Sequence, residues 1–137
     1  MDTKVSQPIY HEALSINRNI QTLTKGYHSN GTFNLAFKIK DDIINLCNLL
    51  DMGVSARFAH TFKNYYEEAK EQINILLEHI RIANSAHMIR GGFPVELINR
   101  IRLLRMRIIL LLELFQTNVP LDYLTLSSWA RQKLTNS

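Results

Sequence analysis

Apolar residues recur at three- and four-residue spacing through four segments of the chain, separated by glycine-containing breaks. That period belongs to helices with one buried face, whereas a half-buried strand alternates every second residue. The first segment is expected to run from about Ser6 or Pro8 to Lys25, with Ile9, Ala13, Ile16, Ile20 and Leu23 along one stripe. Ser6 is placed to cap orphan amide groups, and Pro8 suits a first turn because it lacks an N–H that would go unpaired there. Gly26–Gly31 then supplies a helix stop and a loop.

The second segment is expected from Thr32, a suitable cap, to about Leu50, with Phe33, Ala36, Ile39, Ile43, Leu46, Cys47 and Leu50 on one face. Asp51-Met52-Gly53 looks like a short turn that lays the next helix antiparallel beside it. The third and longest segment is expected from Ser55 to His87 or Met88, which at ~1.5 Å per residue is ~45 Å. Its stripe is Phe58, Phe62, Tyr65, Tyr66, Ala69, Ile73, Leu76, Leu77, Ile80 and Ala83. Lys63, Glu67, Lys70, Glu71, Glu78 and Arg81 occupy the opposite, solvated face.

Gly91-Gly92 is expected to end the third segment and Pro94 to open the fourth, which continues to about Gln116. Leu97, Ile101, Leu104, Ile108, Leu111, Leu112 and Phe115 face the core. Ile109, Leu110 and Leu114 fall on faces that one bundle core does not cover, which points to a subunit interface or to cover from the C-terminal segment. The expected fold is therefore all-α: an antiparallel up-and-down four-helix bundle over residues 1–116, with a short extension at 117–137 long enough for a fifth helix.

Composition adds limits. A chain of 137 residues with 46% hydrophobic and 20% charged residues supports one globular core. The single Cys47 excludes an internal disulfide, and its apolar face suggests a buried, unreactive thiol. The start of the sequence lacks the apolar run of a signal peptide, and the longest apolar run, Ile108–Leu112, is far short of the ~20 residues that span a bilayer, so a cytoplasmic location is expected.

Metal and catalytic motifs are missing. A di-iron bundle needs Glu-x-x-His pairs on two helices, yet none of His11, His28, His60, His79 and His87 lies three residues after a Glu. Glu67, Glu68, Glu71 and Glu78 all sit on one helix. No HExxH motif or phosphate-wrapping GxxxxGK[ST] loop occurs, so neither cofactor, metal nor catalytic residue is expected.

Charge changes the picture more. The formal charge is +4, but between His79 and Leu112 six arginines (Arg81, Arg90, Arg100, Arg102, Arg105, Arg107) face one acid, Glu96. On a helical wheel Arg100 and Arg107 lie within ~20° of each other on one side of the fourth stripe, with Arg102 and Arg105 on the other. Two readings stand. The arginines solubilise a greasy helix with their stems along its apolar edge. Alternatively Arg90, Arg100, Arg102, Arg105 and Arg107 form a basic rim that binds nucleic-acid phosphates. Tyr65 and Tyr66, adjacent and facing different ways, offer one further ring for base stacking.

The series Tyr27…Phe33-Asn34-Leu35-Ala36-Phe37-Lys38-Ile39-Lys40…Leu49-Leu50, followed by Ile73-Asn74-Ile75-Leu76-Leu77-Glu78-His79-Ile80-Arg81-Ile82-Ala83, resembles small bacterial four-helix bundle proteins. That superfamily holds the 23S rRNA intervening-sequence proteins and the accessory variability determinants of diversity-generating retroelements. Lys25 at the end of the first helix and the Leu76–Ala83 stretch look similar to the latter. Asp41–Cys47 stands where the intervening-sequence branch has an "RAAxSIxxNIAEG"-like helix. The resemblance covers roughly Ile9 to Phe115. It implies a basic homo-oligomer, a pentamer in the retroelement branch, that binds RNA or DNA and a partner reverse transcriptase. It also makes Ile109, Leu110 and Leu114 subunit contacts. The alternative from the residues alone is a protein-interaction adaptor of a phage or mobile element, without nucleic-acid affinity.

Overall fold

The computed structural model describes residues 3–25, 34–89 and 91–116. Four helices account for nearly all of them: α1 (Thr3–Leu23), α2 (Asn34–Ser55), α3 (Ala59–Ser85) and α4 (Val95–Gln116). The expected loop at Gly26–Gly31, the Thr32 cap, Phe33, Arg90 and the extension at 117–137 lie outside the described residues, as does the Phe115 side chain. Each helix packs against its sequence neighbour, and α1 closes the ring against α4, while the backbones of the diagonal pairs stay apart among the described residues. This is the four-helix bundle that the periodicity required.

The stripes meet in one core. Ile9, Ala13, Ile16 and Ile20 of α1 are buried, as are Ala36, Ile39, Ile43, Leu46, Cys47 and Leu50 of α2. From α3 come Phe62, Tyr66, Ala69, Ile73, Leu76, Ile80 and Ala83, and from α4 Leu97, Ile101, Leu104, Ile108, Leu111, Leu112 and Leu114. The solvated face of α3 carries its expected short-range pairs, Glu67 with Lys70 at 3.1 Å and Glu78 with Arg81.

Several boundaries differ from expectation, each for a local reason. α1 begins at Thr3, so Pro8 lies inside the helix rather than at its first turn, forgoing one backbone hydrogen bond. Ser6 is not a cap but a fully buried side chain. α1 closes instead on buried Thr24, whose hydroxyl donates to the Ile20 carbonyl at 2.7 Å.

α2 runs straight through Asp51-Met52-Gly53 to Ser55, and the break falls at Ala56–Phe58. Gly53 serves packing, not turning: a Cβ there would lie 2.6 Å from Cε2 and 3.0 Å from Cδ2 of Tyr66. Phe58, expected in the core, sits at the N-cap of α3 and is 64% exposed.

α3 ends at Ser85, before the two glycines. His87 takes the left-handed conformation (φ 53°). Its amide donates to the Asn84 carbonyl at 3.2 Å and that of Met88 to the Ala83 carbonyl at 3.0 Å. These two bonds make a Schellman cap built without glycine. Gly91 and Gly92 (φ 77° and 67°) turn the chain into α4 instead. Pro94 precedes α4, and its carbonyl accepts from Leu97 and Ile98.

Candidate functional site

The two sides of α4 treat their arginines differently. Arg100 points to α1, where Nε donates to Glu12 Oε1 at 2.8 Å and a terminal nitrogen donates to Ser15 Oγ at 2.9 Å. Its charge is committed to holding α1 to α4. Arg107, on the same side, is half-buried and also engaged. Arg90 lies outside the described residues. Of the expected five-arginine rim, Arg100 thus belongs to the α1–α4 seam, while Arg102 and Arg105 lie at the α3–α4 seam.

On the other side, α3 and α4 bound a groove of about 430 Å³. From α3, Asn74, Leu77, Glu78, Arg81 and Asn84 line it at three- and four-residue spacing; from α4, Ile98, Arg102 and Arg105 do so one turn apart. Leu77 and Ile98 are half-buried against the core, and fully buried Ile80 lies beneath them. The floor is apolar and the rim is polar.

The rim is rich in donors. Glu78 receives two bonds from Arg81, Nε at 3.0 Å and a terminal nitrogen at 2.5 Å, and this guanidinium holds the carboxyl below its ordinary range. Asn74 Oδ1 accepts from Arg105 at 2.9 Å. Asn84 Oδ1 accepts from the Phe93 amide at 2.9 Å, tying the glycine turn to α3. The carboxylate and both amide oxygens therefore each already accept a hydrogen bond. The Arg102 guanidinium, the remaining N–H groups of Arg105 and both asparagine NH2 groups make no bond among the described residues. Three guanidiniums against one carboxylate leave the groove with two net positive charges.

Of the aromatic candidates, Tyr66 is fully buried and stacked on Phe62 at 4.4 Å, so it cannot meet a base, and Tyr65 is half-buried. Burial pushes the Tyr66 phenol well above its ordinary value, with the Ser6 side chain acting in the opposite sense. Ile109 and Leu110 are half-buried, and Leu114 is 7% exposed within the core of the single chain. Burial pushes the Cys47 thiol up to about 11, so it is neutral at physiological pH.

One polar cluster escaped the sequence reading. Asp42 of α2, 6% exposed, meets His79 Nδ1 at 2.5 Å and accepts from Gln72 Nε2 at 3.3 Å. Burial raises the Asp42 carboxyl above its ordinary value, while His79 and Gln72 pull it back. The signal was present: Asp42 follows Ile39 by three residues and precedes Leu46 by four, so it shares their inward face. The contribution of Arg81, Asn74 and Asn84 to the groove depends on the relative register of α3 and α4, which sequence does not give.

No group of three or more His, Cys, Asp or Glu that could hold a metal occurs among the described residues. No described helix is long and apolar enough to cross a membrane. No family model, curated protein or solved structure matches the chain.

Proposed function

We propose that the chain is a non-enzymatic basic bundle that binds nucleic acid through its backbone phosphates. Following the resemblance to retroelement accessory proteins, it does so as a homo-oligomer, with five subunits favoured, and assists a reverse transcriptase. The observation that carries the binding is the convergence of Arg81, Arg102 and Arg105 from two helices on one groove whose carboxylate and amide oxygens already accept hydrogen bonds. A donor-rich concavity with net positive charge suits an oxyanion, and phosphates are the usual polyanionic source. Arg100 belongs to the fold rather than to the interface. A subunit contact on α4 would use the exposed parts of Ile109 and Leu110, since Leu114 is already in the core.

The adaptor reading draws on a separate feature. Ile75 and Ile82, 46% and 38% exposed, lie two turns apart on the outer surface of α3, away from the groove. Light-scattering mass measured with and without a structured RNA, across a salt series, separates the two. A pentamer-sized particle whose RNA affinity falls steeply with salt supports the proposal. A monomer or dimer indifferent to RNA favours the adaptor.

A further inference from the structure

Resting on the nucleic-acid reading above, we infer that the α3–α4 groove holds an unpaired nucleotide and discriminates against duplex. The first argument is shape. Reading a duplex groove requires a protruding element, a helix or a ribbon that enters it. Here the arginines surround a depression instead, and a depression receives a group that projects from the ligand. In a paired helix the bases are stacked inside; in a single strand each can swing out with its phosphate behind it.

Size agrees. About 430 Å³ lies in the range that holds one small molecule, which a single nucleotide matches and a base-paired helix exceeds.

The lining supplies the third argument. A site for phosphate alone needs only charge and donors, yet Leu77 and Ile98, backed by buried Ile80, place an apolar floor under the guanidiniums. Such a floor gains from covering the flat face of a base, and every base has one, so the contact tolerates any sequence. Arg102 and Arg105 meet the phosphate, with Arg81 at the far wall already neutralised in part by Glu78. The amide groups of Asn74 and Asn84 supply donors to acceptors on the base edge.

The test compares three probes by fluorescence anisotropy at fixed salt: an unstructured oligonucleotide of about 12 residues, the duplex of the same sequence, and an abasic strand of the same length. The single strand is expected to bind about tenfold more tightly than either of the others, the size of one base contact. Ile98→Gln should bring single-strand affinity down towards the abasic level while circular dichroism shows unchanged helicity; the abasic comparison on the unaltered protein stands if that variant misfolds. Equal affinity for all three probes overturns the inference but leaves phosphate binding intact. Failure to bind any of them at low salt removes the nucleic-acid reading itself.

Discussion

Replacing Gly53 with alanine sets two effects of known sign against each other. Gly53 lies inside α2, where alanine is the better helix former by about 1 kcal/mol. On propensity alone the variant would be more stable. The added methyl, however, would sit 2.6 Å from Tyr66 Cε2 and 3.0 Å from Cδ2, well inside contact distance. The ring has nowhere to go, because Tyr66 is fully buried and stacked on Phe62. Overpacking of this kind costs about 1–3 kcal/mol, so a net destabilisation of about 1 kcal/mol is expected. Urea unfolding followed by circular dichroism measures it directly. In a Tyr66→Leu host the clash disappears and the same substitution should become neutral or stabilising. A Gly53→Ala variant more stable than the parent would refute the close approach of α2 to α3 at this point.

Three further outcomes are expected. His87→Gly should stabilise the protein by about 1 kcal/mol in the same assay, because glycine adopts the left-handed cap conformation without the cost a side chain incurs; a loss of stability would mean that the imidazole makes a contact worth more than the strain. The raised Asp42 carboxyl means that the folded state holds a proton the unfolded state has released, so stability should fall as pH rises from the ordinary aspartate range through the raised folded value. Asp42→Asn should abolish that slope, and an unchanged pH profile would contradict the assignment. With its thiol near 11, Cys47 should carry roughly one thiolate in a thousand at pH 8 and resist a disulfide reagent until the protein unfolds; rapid labelling of the native protein would show that the site is open.

The bundle was legible because burial and period coincide: Ile9, Ala13, Ile16 and Ile20 can share one direction only on a helix. Punctuation was less legible, because glycine marks close packing as well as turning. Gly53 makes room for a ring in mid-helix, whereas His87, which nothing local marks as a stop, performs the cap. The helical wheel set Arg100 apart from Arg102 and Arg105, but it could not say that Arg100 would face Glu12 and Ser15. That partner lies 88 residues away in sequence, and only the closure of α4 against α1 brings it near.

The most direct test of the central claim is nucleic-acid affinity as a function of salt, measured for the parent and for Arg102→Glu with Arg105→Glu. The control is Lys38→Glu with Arg57→Glu, which removes the same charge from exposed positions away from the groove. If the guanidiniums of Arg102 and Arg105 displace counterions from a single strand, the logarithmic salt slope is about −1.4, or about a sevenfold loss of affinity between roughly 50 and 200 mM. The parent and the control should both show that slope, and the groove variant should lose binding while keeping its helicity. Equal weakening in the two variants, or full binding by the groove variant, would contradict the account.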